Sequence, residues 1–379
     1  MGRKMIMKRK TGFVWHETFM WHQQGKFSGL IPAVFPMQPG QHFENAEGKR
    51  RIKNLLDAAD FTSSLTFVDS RMATDAEILR VHTAEYLEQL EIDNLLPASS
   101  AGFDAPFTTG SVDIARRAAG GAIAAAEAIL SGTVDNAYAL LRPAGHHAET
   151  SEGKGLCLFN NAAIAAAHVL ATTDIERIAF VDVDVHHGNG AEEIFWRDPR
   201  VLTLSLHQDR WFPPNSGMTE HIGEGAGKHF NLNVPLPAGS GFGAYRAAFE
   251  QVVIPALEAY RPQMIIMPIG FDGGAQDPMG RMILSSNSYR YMAETLVGMA
   301  EKHSNGRLLL THEGGYNEST VPFMALAAIE AIAGQTSGVV DPYGEIMDGM
   351  HGHFLLAHQQ EMINQARQQV IALQQHISA

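Results

Sequence analysis

Residues 178–190 read IAFVDVDVHHGNG, and this stretch decides the fold class. Its first half is apolar and β-branched, which predicts a buried strand over 178–185. Residues two apart in an extended strand point to the same side. Asp182, Asp184 and His186 therefore gather two carboxylates and an imidazole on one side, followed by glycine.

Apolar runs of the same kind recur along the chain, at 137–141, 201–206, 230–234, 264–269 and 307–311. Stretches with helical periodicity separate them, at 111–130, 160–170, 245–260, 286–303 and 321–332. This alternation predicts an α/β fold whose parallel sheet is covered on both faces. Neither an internal repeat nor a long linker interrupts it, so we expect a single domain over 1–379. Its last element is an amphipathic helix at about 355–377, which packs either on this domain or on a second subunit.

Four of the apolar runs lead directly into residues that can carry chemistry. The motifs are RPAGHH at 142–147, DVDVHHGNG at 182–190, IGFDGG at 269–274 and HEGGY at 312–316. In open parallel sheets the ligand crevice lies outside the carboxyl ends of the strands. We therefore expect the four motifs to meet in one cavity.

A catalytic zinc ion takes three N or O ligands from the protein and leaves one position for water or substrate. Asp184 and His186 would supply two ligands, and Asp272 in GFDGG would supply the third. The alternative is that the acids cap the following helix or pair with basic residues, and that the histidine is structural. Burying these groups without a cation costs on the order of several kcal/mol, which favours the metal.

The vicinal histidines His146 and His147 follow a proline and a glycine that break the strand, so both rings can turn into the cavity. Histidine titrates near neutral pH and can take a proton from water and return it to a leaving amine. Tyr316 in HEGGY can donate a hydrogen bond to the oxygen that becomes negative during amide hydrolysis. A single histidine, or the tyrosine motif standing alone, is more often a buried residue with a satisfied hydrogen bond, whereas a histidine pair beside a predicted zinc site favours catalysis.

Composition excludes several classes of protein. The charge of −13 disfavours direct binding to nucleic acid, and no apolar run reaches membrane-spanning length. The chain has one cysteine, Cys157, which excludes an internal disulfide and points to a reducing, cytoplasmic location. The basic N-terminus lacks the apolar core of a secretory signal.

The motifs RPAGHH, DVDVHHGNG, SLHQDRWFPP, GFDGGAQDP and EGGYN, in this order, resemble the zinc-dependent histone deacetylase family over roughly residues 10–335. GFVWHETFMWH and GLCLFNNAAIAAAH resemble the class II branch and its bacterial histone deacetylase-like amidohydrolases. The resemblance implies the arginase/deacetylase fold, a three-layer αβα domain around an eight-stranded, mainly parallel sheet. It also implies zinc on Asp184, His186 and Asp272, catalytic roles for His146 and His147, and a transition-state role for Tyr316.

The resemblance assigns further residues around this centre. Asp182 falls where the family orients the first histidine, and Asn189 stands behind the second, where class I members have an aspartate. A neutral partner should leave His147 with a lower pKa than a carboxylate would. A structural K⁺ or Na⁺ would be held by Asp182, Asp184, His186, Ser205 and Leu206, and a second cation site is suggested around Phe195, Asp198 and Val201.

The substrate is less defined than the reaction. Asp104 resembles the rim aspartate that grips the substrate backbone, and Phe212 resembles one wall of the acyl-lysine tunnel. Leu156, next to Gly155, stands where many members have a second aromatic wall. Met279 stands where polyamine-specific relatives carry a glutamate, which argues mildly against a polyamine.

The expected activity is therefore hydrolysis of N-acyl-lysine or a related small-molecule or peptide N-acyl amine by a zinc-dependent deacylase, which could form a homo-oligomer. Three alternatives stay open. They are an acetylpolyamine amidohydrolase, a two-manganese ureohydrolase of arginase type, and a metal-stabilised binding module without catalysis.

Overall fold

The computed structural model describes residues 8–378 and is built around one eight-stranded sheet. All pairings between neighbouring strands of this sheet are parallel, and the spatial order is β6-β5-β4-β7-β8-β3-β1-β2. The strands are β1 (Thr11–Val14), β2 (Thr66–Val68), β3 (Asn136–Ala139), β4 (Ile178–Asp182), β5 (Val201–Gln208), β6 (Asn231–Leu236), β7 (Met264–Ile269) and β8 (Leu308–His312).

Helices cover both faces of the sheet and make the three αβα layers that the sequence predicts. They are α1 (Ala46–Ala58), α2 (Asp75–Ile78), α3 (Ala84–Asp93), α4 (Ser111–Leu130), α5 (Asn161–Thr172), α6 (Asn189–Ile194), α7 (Phe242–Ala248), α8 (Ile254–Tyr260), α9 (Ser286–His303), α10 (Val321–Ala333), α11 (Gly344–Asp348) and α12 (Ala357–Ser378). Along β4, Ile178 and Phe180 face the core under α4 and α5, whereas Ala179 and Val181 face the core under α9 and α10. Because successive strand residues point to opposite faces, a strand buried on both sides is apolar throughout.

The strand that carries DVDVHH ends earlier than its apolar pattern predicts. β4 stops at Asp182, and the backbone N–H of Asp184 donates to Oδ1 of Asp182 instead of to a neighbouring strand. The N–H of His186 likewise donates to Oδ1 of Asp184. Short acidic side chains thus replace the backbone acceptors of Asp184 and His186, while Val183 and Val185 still bond to the neighbouring strands, so the ligands lie in a turn beyond the regular strand. The prediction that they lie on a regular strand was wrong in this respect.

The predicted helix at 245–260 is also divided. The structure has α7 and α8 joined by a π-helical turn at Phe249–Val253. Pro255 lies in the first turn of α8 and has no N–H to donate, which favours a break in the α-helical ladder just before it.

The C-terminal helix α12 packs on β6 and α8 of its own chain. Its buried side chains are Gln359, Ile363, Ala366, Val370 and Leu373. This packing agrees with the first of the two arrangements expected for the tail. Between residues 8 and 378, no helix combines the length and the apolar character needed to cross a membrane.

A buried arginine ties an N-terminal segment to the end of β3. Arg142 donates from Nη1 to the carbonyls of Phe19 and His22, at 3.1 and 2.8 Å. Its Nε and Nη2 donate to the two carboxylate oxygens of Glu44, at 2.7 and 2.9 Å. The ammonium of Lys49 lies 3.5 Å from the same carboxylate. The two ends of the segment between residues 22 and 44 are therefore held at one buried point.

Candidate active site

The four chemical motifs follow strands β4, β7, β8 and β3, which are consecutive in the sheet. Their loops meet at its carboxyl end, as the sequence predicts. The ligand atoms of Asp184, His186 and Asp272 all lie within 4.8 Å of one another, and the three residues are buried. Nδ1 of His186 is 3.0 Å from Oδ1 of Asp184 and 3.2 Å from Oδ2 of Asp272.

This trio has the properties of a cation site. Oδ2 of Asp272 is buried and makes no well-aligned hydrogen bond, although Nδ1 of His186 lies 3.2 Å away, which leaves a carboxylate oxygen available to a metal. Burial alone would lower the pKa of His186, but the two carboxylates outweigh it and raise that pKa to about 10. A side chain at Gly270 or Gly314 would collide with the Asp184 or Asp272 carboxylate, so both positions need glycine. The residues present therefore fit a zinc ion with an open coordination position.

The rings of the two histidines of RPAGHH are in contact, with centroids 3.9 Å apart and planes tilted by 39°, but they have different partners. Nδ1 of His146 lies 2.9 Å from Oδ2 of Asp182, and Nδ1 of His147 lies 2.7 Å from Oδ1 of Asn189. The amide nitrogen of Asn189 donates to the carbonyl of His147 and to Oε1 of Glu149. Its oxygen must then accept from His147, so Nδ1 of His147 carries the proton and Nε2 is left as an acceptor.

Their charge states differ accordingly. Burial would lower the pKa of His146, but Asp184 and Asp182 outweigh it and raise that pKa to about 10. Burial lowers the pKa of His147 well below its ordinary value, and His146 and His186 lower it further. A cation bound to Asp184 would weaken the attraction that raises the pKa of His146. The pair thus combines a neutral base with a neighbour that favours the charged form.

Glu313 is a site residue that the sequence reasoning did not assign. Its Oε2 accepts from the backbone N–H groups of Gly145 and His146, at 2.7 and 3.0 Å, and so holds the histidine loop. Burial raises the pKa of Glu313 to about 7. The motif HEGGY contains Glu313, but the residues that Glu313 contacts lie far away in the sequence.

Tyr316 reaches the same cavity from the loop after β8. Its backbone N–H donates to Oδ2 of Asp277, 2.7 Å away, which fixes the turn. Burial and the carboxylates of Asp272 and Asp184 raise the pKa of its phenol well above the ordinary value. The hydroxyl therefore keeps its proton and can donate a hydrogen bond.

A cavity of about 310 Å³ leads from the surface to this centre. His147, His186 and Tyr316 lie on its wall, and so do all five residues expected to contact substrate, namely Asp104, Gly155, Leu156, Phe212 and Met279. The rings of His147 and Phe212 meet edge to face at 4.9 Å. Four lining residues were not foreseen, namely Leu30, Trp211, Pro278 and Arg281. Trp211 stands beside Phe212 in SLHQDRWFPP, which was the available signal.

The residues expected to hold monovalent cations are only partly brought together. Asp182 pairs with Ser205 across β4 and β5, with Leu206 next along the strand. The hydroxyl of Ser205 accepts from the N–H of Gly188 and contacts Nδ1 of His207. At the second location, Asp198 is paired with Arg200, with Nη2 2.6 Å from Oδ2. Cation binding at either location stays a prediction.

Sequence comparisons identify proteins that are similar to this chain. Residues 42–332 match the family described as the histone deacetylase domain. The chain is 45% identical over 345 residues to the histone deacetylase-like amidohydrolase of Pseudomonas aeruginosa, covering 90% of this chain and 91% of that protein. It is 36% identical over 336 residues to histone deacetylase 8 of Arabidopsis thaliana, covering 86% of this chain and 89% of the relative.

A solved structure gives the same result in three dimensions. The crystal structure of the HDA15 HD domain superimposes with a TM-score of 0.85 at 29% identity, covering 97% of this chain and 96% of that one. The parallel eight-stranded sheet and the flanking helices are therefore those of the arginase/deacetylase fold. Sequence and structure together show that this chain belongs to the histone deacetylase family of deacetylase-type hydrolases.

Proposed function

We propose that the protein is a zinc-dependent deacylase that hydrolyses the amide of N-acyl-lysine or a related N-acyl amine. The observation that carries this proposal is the position of the buried trio Asp184, His186 and Asp272 beside His147 and Tyr316 at the end of one cavity. Hydrolysis of an amide needs an activated water, a proton carrier and a donor for the developing oxyanion. This site offers a residue for each need.

Zinc held by the trio would polarise the acyl carbonyl and lower the pKa of a water molecule. Nε2 of His147 accepts the proton of the attacking water, because Nδ1 is occupied by Asn189. The Tyr316 hydroxyl donates to the substrate oxygen as it becomes negative. His147 then carries the proton to the leaving amine, while His146 acts as its electrostatic partner.

The alternatives differ in what they require of this site. A two-ion ureohydrolase needs further free carboxylates, but Oδ2 of Asp182 contacts His146 and its Oδ1 accepts from Asp184. That arrangement favours a single catalytic ion. An acetylpolyamine amidohydrolase would use the same groups on a dicationic substrate. A panel that varies acyl length on lysine peptides, free acyl-lysine and acetylpolyamines decides between the amines.

Replacing Tyr316 with phenylalanine is expected to lower kcat about a hundredfold with little change in KM, because one oxyanion donor is lost. Steady-state kinetics on an acetyl-lysine substrate measure this change. The matched control is Tyr343→Phe, at the residue that precedes the first residue of α11. A non-catalytic binding module predicts no difference between the two variants in any turnover measurement.

Asn189→Asp is expected to move the acidic limb of the pH profile of kcat/KM upward by about one pH unit. The base must be neutral, so activity falls below the pKa of His147, which burial holds well below its ordinary 6.5. A carboxylate in place of the amide stabilises the imidazolium and raises that pKa. The wild type should therefore stay active at pH values where the variant has already lost activity. A limb that does not move would separate this pKa from catalysis.

A further inference from the structure

The mouth of the cavity carries a guanidinium group held over an indole ring. Arg281 is exposed, and its guanidinium lies 5.3 Å from the ring centre of Trp211, whose side chain is 42% exposed. Nη1 of Arg281 donates to the carbonyls of Pro278 and Gly280, at 3.1 and 2.6 Å. The indole Nε1–H donates to the carbonyl of Met279, 2.6 Å away. Both side chains are thereby fixed to the loop after β7.

Two nitrogen atoms of this guanidinium, Nε and Nη2, remain available as hydrogen-bond donors. Within residues 8–378, the side chain of Arg281 contacts only these two carbonyls and the indole, so it has no ion-pair partner and its Nε and Nη2 make no hydrogen bond to protein. A planar guanidinium with two donors on one edge matches a carboxylate. The chain carries a charge of −13, so an unpaired cation at the cavity mouth is the opposite of its general surface charge.

An acid stands at the same mouth. Asp104 is exposed and lines the cavity, and its carbonyl accepts from the N–H of Leu156 at 2.7 Å, which anchors its loop to the cavity wall. Apart from the histidines, Asp104 and Arg281 are the two charged residues among those that line the cavity. His147 and His186 are buried at its inner end. The cavity thus runs from a mouth with one charge of each sign to the reactive centre.

We propose that Arg281 and Trp211 bind the carboxylate of the substrate, while Asp104 faces its ammonium group. The preferred substrates are then N-acyl amino acids whose α-carboxylate is free, such as Nε-acyl-lysine itself or an acyl-lysine at a peptide C-terminus. This inference rests on the proposed function and specifies its substrate class. An acylpolyamine carries ammonium but no carboxylate for Arg281, and an internal acyl-lysine offers neither charge.

The test compares three substrates with the same acetyl group, using the zinc-loaded full chain. They are Nε-acetyl-lysine, its α-carboxamide and acetylputrescine. We expect the free acid to exceed the carboxamide about tenfold in kcat/KM, because one charge-assisted hydrogen bond distinguishes them. Arg281→Gln should remove this preference by lowering kcat/KM for the acid alone, and Arg281→Lys should keep part of it. Arg246→Gln, on the exposed face of α7, is the matched control.

Each outcome has one meaning. Equal kcat/KM for the acid and the carboxamide in the wild type would overturn the inference and leave the proposed function intact. An equal loss on both substrates in Arg281→Gln would also overturn it, because it would assign the arginine a structural role only. Absence of turnover on all three substrates, and on the lysine peptides of the broader panel, would overturn the proposed function and this inference together.

Discussion

Replacing His147 with alanine is expected to lower kcat/KM by a factor of about 10³ to 10⁴, near the upper end of the range for a general acid–base. The reason is that His147 is the histidine of the pair whose free nitrogen and depressed pKa suit a base, while Asn189 fixes its tautomer. The same group would return the proton to the amine, so one substitution removes both transfers. Full pH profiles of kcat/KM measure the effect.

His146→Ala is the informative comparison. Its Nδ1 lies 2.9 Å from Oδ2 of Asp182, and this carboxylate favours the charged form of the ring even where a cation on Asp184 offsets the other attraction, so His146 is a poor base near neutral pH. We expect a smaller loss, on the order of 10-fold to 100-fold, since only electrostatic support is removed. If the His147 variant kept near-normal turnover while the His146 variant lost it, the two roles would have to be exchanged.

Removal of the metal is expected to abolish measurable hydrolysis, and one equivalent of Zn²⁺ per chain should restore it. The carbonyl would lose its Lewis acid and the water its acidifying ion, which together supply several kcal/mol of transition-state stabilisation as a rough estimate. Dialysis against a chelator, followed by titration with Zn²⁺ and metal analysis, measures both. Two ions per catalytic centre would favour the ureohydrolase alternative.

Asp272→Asn tests the same site by substitution. It removes a charged ligand whose Oδ2 makes no well-aligned hydrogen bond, so we expect weaker zinc binding and loss of most activity. The folded wild type should also melt at a higher temperature with Zn²⁺ than without it, because the ion binds the native state only. The control is Asp174→Asn, an exposed acid just before the amino end of β4, at the opposite end of this strand from the site. An equal zinc-induced shift in both variants would contradict the assignment of the ligand.

The meeting of the four motifs could be predicted from the sequence because parallel strands bring their carboxyl ends to one edge of the sheet. Four motifs that follow four apolar runs must therefore meet, whatever the lengths of the intervening helices. The strands Thr11–Val14 and Thr66–Val68, the last two at one side of the sheet, were not foreseen. Four and three residues are too few to show a period, and only pairing with β3 and with each other makes them strands.

Contacts between residues that are far apart in the chain could not be predicted from the sequence either. Trp211 and Arg281 are 70 positions apart and meet only because β5 and β7 both flank β4. Glu313 binds two backbone N–H groups of a loop 168 and 167 positions away, a contact that residue types do not encode. Asp184 and His186 were predicted to lie side by side because they alternate along an extended strand. In the structure they lie in a turn, where the backbone N–H and Nδ1 of His186 both contact Oδ1 of Asp184.

The contacts of Arg142 with Phe19, His22 and Glu44 hold the segment 23–43 separately from the histidine loop that follows the arginine. Both ends of the segment 23–43 are fastened at one buried ion pair, and the segment sends Leu30 to the cavity mouth. Because Gln24 and His42 of this segment also contact Glu44, we expect only its middle, around Leu30, to tolerate exchange without displacing the histidine loop. A change of sequence around Leu30 would then alter the cavity wall that a substrate meets while Arg142 keeps the histidine loop in place, and grafting this loop from a relative tests that expectation.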